Sequence, residues 1–117
     1  VGYVKHSAII VTGKDLAIVG RARSVASVLQ LVVTDVVADS VNGYHSFLVA
    51  PDGSKEGWID SDLGDQRRDQ FVEWIRVLPD TEGHLDWIDV EYGGDHGREI
   101  GAAIVRHGDA DPREDPT

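Results

Sequence analysis

An α+β sandwich, a mostly antiparallel sheet carrying two helices on one face, is the fold class that this chain predicts, and three features carry that reading. Apolar residues recur twice at helical spacing. Apolar runs of strand length occur before, between and after those stretches. Residues 42–58, NGYHSFLVAPDGSKEGW, set two tight-turn signals around one apolar strand. In order these give β-α-β-β-α-β-β, a ferredoxin-like pattern, with the first and third strands expected to lie parallel at the centre through a right-handed crossover.

Residues 6–12, HSAIIVT, are rich in β-branched side chains and end at Gly13, so they read as a strand buried on both faces. Residues 15–31 place Ile18, Ala22, Val25, Ala26 and Leu29 on one side of a helix, with Asp15 as its N-cap. Gly20 inside that helix costs about 1 kcal/mol relative to alanine. Residues 32–41 return to strand composition. Asn42-Gly43 suits the two positive φ angles of a type I′ turn and is expected to pair them antiparallel with residues 44–50.

Pro51-Asp52-Gly53-Ser54 turns the chain again, and residues 55–59 are expected to return as a short edge strand guarded by Lys55 and Glu56. Ser61 or Asp62 then caps a second helix, whose stripe Phe71, Trp74, Ile75 and Leu78 runs up to Pro79. Along residues 85–92, Trp87, Asp89 and Glu91 alternate with Asp86, Ile88, Val90 and Tyr92, as in a half-buried strand with one acidic side. Gly93, Gly94 and Gly97 mark a turn into residues 99–105, a last apolar strand whose alanines also permit a short helix. Residues 1–107 are expected to form a single α+β domain, and 108–117, GDADPREDPT, a disordered acidic tail.

At 117 residues the chain has the size of one domain with one core. No run of 18 apolar residues is present, and residues 1–5 lead directly into a strand pattern without the features of a secretory signal, so a soluble cytoplasmic protein is expected. Cysteine is absent, which excludes disulfides, zinc-thiolate sites and thiol nucleophiles. A net charge of -10 opposes direct binding to nucleic acid or anionic lipid and favours basic or neutral partners.

Five histidines raise the question of a metal, but HExxH, Cys-His clusters and helical i, i+4 pairs are all missing. His6 and His45 are expected near the starts of the two central strands, where they could approach each other. Neither metal nor cofactor is expected. Asp60, Asp62, Asp65 and Asp69 fail the spacing of a calcium loop, which would put its fifth position at Gly64 and its bidentate carboxylate at Phe71. They suit the positive end of a helix instead. Arg21, Arg23, Arg67 and Arg68 read as partners for nearby carboxylates. Trp87, Asp89 and Glu91 combine an aromatic ring with paired carboxylates. No nucleophile accompanies them in sequence, so binding is favoured over catalysis.

The blocks KHSAIIVTG, NGYHSFLVAPDGSKEGW, SDLGDQRRDQFVEWI and LDWIDVEYGGD resemble a family of short uncharacterised proteins encoded by phages of actinobacteria, over most of residues 5–94. The resemblance implies a setting, the cytoplasm of an infected bacterium, and no activity. The expectation is a small acidic binding protein working by protein–protein contact through an open sheet face, as a homodimer and against a basic host protein that it inhibits. His6, Tyr44, His45, Trp87, Asp89 and Glu91 are the candidate contact residues. The alternative is a small-molecule or nucleotide site, or an enzyme, with a pocket at the central strands.

Overall fold

The computed structural model describes residues 5–53, 58–79, 81, 83–93 and 102–108. The chain forms an α+β fold with the elements β1 (Lys5–Gly13), α1 (Leu16–Val28), β2 (Val37–Ala38), β3 (His45–Val49), α2 (Ile59–Arg76), β4 (Leu85–Gly93) and β5 (Ala102–His107). The five strands make one sheet in the order β2-β3-β1-β4-β5, and every adjacent pair is antiparallel. The parallel pairing expected for the first and third strands is therefore wrong. Crossover through α1 joins β1 to β2, which run in the same direction, and the reversal after β2 then places β3 between them with opposite sense.

Side chains alternate faces along a strand, and the register assigns the faces. Ile9 pairs with Val49 and Asp89, and Val11 with Phe47 and Trp87, so these side chains share one side of the sheet. Both helices pack there. Ile9, Val11, Phe47, Val49, Leu85 and Trp87 form a single buried cluster with Ile18, Val19, Ala22 and Ala26 of α1 and Phe71, Val72 and Ile75 of α2. The stripe expected for α2 is buried or half-buried as anticipated, and Val19, absent from the expected α1 stripe, is fully buried.

Local chemistry sets the element ends. Asp15 caps α1, its carboxylate accepting from the Ala17 amide at 2.9 Å. At the other end Gln30 adopts φ 67 while its amide donates to Ser27 O and that of Leu31 to Ala26 O. This is a Schellman closure with a side chain where glycine is usual. α2 begins earlier than expected, with Trp58 at the N-cap and no side-chain cap, so Ser61 and Asp62 lie inside its first turn. Asp60 and Asp62 there complement the helix dipole. Ser61 is buried.

The type I′ turn at Asn42-Gly43 does not form, because only Gly43 takes a positive φ. Asp39 organises a longer loop: one carboxylate oxygen accepts from the amides of Val41, Asn42 and Gly43 and the other from Tyr44. Desolvation opposes ionisation of Asp39, and those four amides outweigh it, holding its carboxyl below the usual carboxylate range. The hairpin itself is present, with Val37 opposite Ser46 and an outlying bridge between Val33 and Val49, but its first arm is regular only at Val37–Ala38.

Of the expected edge strand, Trp58 and Ile59 belong to the start of α2, and the rest lies outside the described residues, as do most of the 93–97 turn and the 109–117 tail. The final apolar segment is a strand, not a helix.

Replacing Gln30 by glycine removes the left-handed penalty at an exposed position and is expected to stabilise the protein by about 0.5–1 kcal/mol. Urea unfolding of the variant checks this. Unchanged or lower stability would show that the Gln30 side chain compensates for its backbone.

Candidate functional site

The register divides five of the six expected contact residues between the two sides of the sheet, and Tyr44 lies just before β3. Trp87, Asp89 and Glu91 lie on the helix-covered side, Trp87 and Asp89 buried, not on the open face assigned to them. Alternation along β4 is correct but its sides are exchanged, since Trp87 and Asp89 pair with Val11 and Ile9, whose face the helices cover. His45 also falls on the helix side, opposite Gly13 at the far end of β1. Its ring Nδ1 is buried without a hydrogen-bond partner among the described residues.

His6 lies on the other face, with its ring centroid 5.2 Å from that of Tyr92. Antiparallel pairing puts His6 and His45 at opposite ends of β1, seven residues and roughly 23 Å apart, so their expected approach is ruled out. Tyr44, just before β3, is capped by the Lys14 ammonium, 5.7 Å from its ring centroid. Among the described residues no group of three or more His, Asp or Glu side chains is placed to hold a metal ion.

On the helix side, α2 and the β1, β4 and β5 strands enclose a cleft of about 390 Å³ lined by Ser7, Asp65, Arg68, Asp69, Asp89, Glu91, Val105 and Arg106. Asp65, Arg68 and Asp69 reach it together because i, i+3 and i+4 share a helix face. Asp89 is only 5% exposed. Arg106 donates to Asp89 Oδ2 through Nε at 3.0 Å and Nη2 at 2.6 Å, and Nη2 also reaches Asp69 Oδ1 at 2.9 Å.

A bulge places Arg106 there: it opposes Asp89 while Ile104 opposes Val90, leaving Val105 as the extra residue. Arg68, 8% exposed, pairs with Asp65 and stands 3.7 Å from Asp52. Burial pushes the Asp89 carboxyl above its ordinary range, with the Arg106 bonds opposing that rise. Against its own desolvation, Arg106 is held charged by Asp89 and Asp69.

Sequence reasoning found Asp89 and Glu91 but missed Ser7, Val105 and Arg106 and gave Asp65, Arg68 and Asp69 no joint role. The Asp65, Arg68, Asp69 spacing was the available signal. Arg106 had none, since its contact with Asp69 spans 37 positions and depends on the bulge.

The second surface is the side of the sheet that carries no helix among the described residues. Across it run Leu48, Ile10, Ile88 and His107 in one row and Ala8 with Val90 in the next. Outside these lie Ser46, Thr12 and Asp86 at one end and His6 with Tyr92 at the other. Thr12 and Ser46 hydroxyls are bonded to each other at 2.8 Å, and Asp86 lies 2.8 Å from His84 Nε2. Ile10 is 44% exposed although it occupies the central strand. Ala8 on the same face is 5% exposed, so the apolar middle is open at Ile10 and closed at Ala8.

Comparison with protein-family models, with curated proteins and with solved structures finds no match.

Arg106→Ala would leave the Asp89 carboxylate buried without its partner and is expected to cost about 2–4 kcal/mol at neutral pH. Because the folded-state pKa of Asp89 is already raised, the folded chain holds this proton more tightly than the unfolded one, and stability falls as pH rises through that interval. The cost of the substitution is therefore expected to shrink on acidification towards the ordinary aspartate range. Urea unfolding at several pH values checks it, and a pH-independent loss would contradict an ionised Asp89 as the cause.

Proposed function

We propose that this chain is a non-enzymatic binding protein that acts by protein–protein contact through the helix-free face of its sheet, with a second copy of itself as one partner. The observation that carries the reading is Ile10: an isoleucine in the middle strand, flanked by Leu48 and Ile88, is 44% exposed. Large contiguous exposed apolar patches are uncommon on monomers and mark interaction sites. The net charge of -10 favours a basic protein as any second partner and disfavours direct binding to nucleic acid.

In the setting that the phage resemblance implies, that partner is a host factor in the bacterial cytoplasm, inhibited by occupation of its basic surface. A ferredoxin-like arrangement extended by β5 is the finer description of the fold that we favour. Its support is that α1 follows β1, α2 follows β3, and β1 lies between β3 and β4.

Ile10→Glu is expected to abolish self-association while leaving the circular dichroism spectrum intact, since the side chain points away from the core. Sedimentation velocity over a range of concentrations reads this. A wild-type chain that stays monomeric at the highest soluble concentration would remove the homodimer.

A second reading, a small-molecule site, is favoured by one specific observation, the buried Asp89, paired with Arg106, in a cleft of about 390 Å³. Four carboxylates and two arginines line it, and both arginines are already paired, so a cationic ligand suits it better than a nucleotide. Thermal shift against small amines and guanidines, with nucleotides as comparison, is expected to show stabilisation by the cations alone, lost in Glu91→Gln. No shift with any of them would discard the second reading.

A further inference from the structure

We infer that the cleft between α2 and the β1, β4 and β5 strands takes an arginine side chain from a basic peptide segment, which lies along the acidic edge of α2. The inference rests on the second reading above, a cation in this cleft, and adds the form in which that cation arrives.

The deepest group is Asp89, whose side chain is 7% exposed. Arg106 directs both of its bonds at Oδ2, and Oδ1 accepts none among the described residues. A carboxylate oxygen on so buried a side chain meets little water, so a donor brought into the cleft gains what the fold leaves open. Among the lining groups carboxylates outnumber guanidiniums by four to two, and both guanidiniums are already engaged by carboxylates. The missing partner is therefore a donor with positive charge. A guanidinium suits the place better than an ammonium, because it sheds water more readily and its planar fork bonds two carboxylates at once. Val105 in the lining gives the aliphatic stem of an arginine an apolar wall.

Asp62, Asp65, Asp69 and Glu73 follow one another at i, i+3, i+7 and i+11, which sets them along one edge of α2. Asp65 and Asp69 line the cleft. Asp62 and Glu73 continue the edge to either side, exposed and without an ion pair among the described residues. Helix stability does not account for this pattern. Like charges repel at i, i+4 in the Asp65–Asp69 and Asp69–Glu73 pairs, and Glu73 stands in the last turn, where the helix dipole disfavours an acid. The edge is roughly 16 Å long, the reach of about five residues of extended chain. A free cation uses the cleft alone, whereas a segment with basic residues at alternate positions also meets Asp62 and Glu73. This charge complementarity along a line selects the peptide.

Titrations of the full chain followed by NMR compare N-acetylarginine amide, the blocked peptide Arg-Gly-Arg-Gly-Arg and its lysine counterpart. Two added surface ion pairs predict that the arginine peptide binds about fivefold tighter than the single arginine. Signals of Asp89, Glu91 and Arg106 are expected to shift with both arginine ligands, and those of Asp62 and Glu73 with the peptide alone. Asp62→Asn combined with Glu73→Gln, both at exposed positions, is expected to bring the peptide down to the affinity of the single arginine, which itself does not change. Equal affinity for the two arginine ligands, or peptide binding that the double variant leaves intact, would overturn the role of the α2 edge while the cationic cleft stands. Equally tight binding of the lysine peptide would overturn the assignment to arginine. Peptide binding that leaves Asp89, Glu91 and Arg106 unshifted would overturn the seat in the cleft. Binding by none of the three would overturn the second reading and this inference together.

Discussion

The antiparallel register of β1 against both β3 and β4 is the constraint on which the rest of the structure depends. Because β1 is the middle strand, its alternation assigns a face to every neighbouring residue. Ile9 and Val11 bring Val49, Phe47, Asp89 and Trp87 with them under the helices, while Ala8 and Ile10 bring Leu48, Ile88 and Val90 to the other side. A slip of one residue would exchange the two sets and destroy the core. The same register that closes the core thus sets the opposite face, and fold and proposed contact surface are two consequences of one pairing.

The cleft is the place where the helix layer meets the sheet through charge instead of apolar packing. Arg106 ties β5 to β4 through Asp89 and to α2 through Asp69. Such a pair adds little net stability over an apolar contact of similar size, because burying it costs solvation, yet removing one partner is expensive. Its value is therefore positional. It fixes the outer strand against α2 at the end of the sheet where the shared apolar cluster gives way to Ser7, Asp89 and Glu91. This explains how a buried carboxylate persists in an acidic chain without implying that it catalyses anything.

Helices were legible because their signals are local. The Phe71, Trp74, Ile75 and Leu78 stripe and the Asp15 cap depend on spacings of four residues or fewer. The strands were legible as strands, but their sides were not. Taken alone, β4 offers Ile88, Val90 and Tyr92 as its apolar face against Trp87, Asp89 and Glu91, and only pairing with Ile9 and Val11 reverses that choice. The Asn42-Gly43 signal lost to Asp39, whose carboxylate satisfies four amides and supports a wider loop with one left-handed residue. Arg106 was hidden because both its contact and its facing depend on a bulge that no local pattern announces. Of the candidate contact residues, Asp89 and Glu91 reached a common cleft, His6 reached the opposite face, and His45 was sent to the other end of the sheet by an antiparallel pairing read as parallel.

The proposed contact requires the face bearing Ile10, Ile88 and Val90 to be covered in solution, while the opposite face is covered by the chain's own helices. Methyl NMR with a soluble paramagnetic probe, recorded at low and high protein concentration, tests it most directly. The account predicts that the Ile10, Ile88 and Val90 methyls are strongly relaxed by the probe when dilute and become protected as concentration rises, while Ile9, Val11 and Val49 stay protected throughout. Equal accessibility of Ile10, Ile88 and Val90 at every concentration, or strong relaxation of Ile9 and Val11, would contradict it.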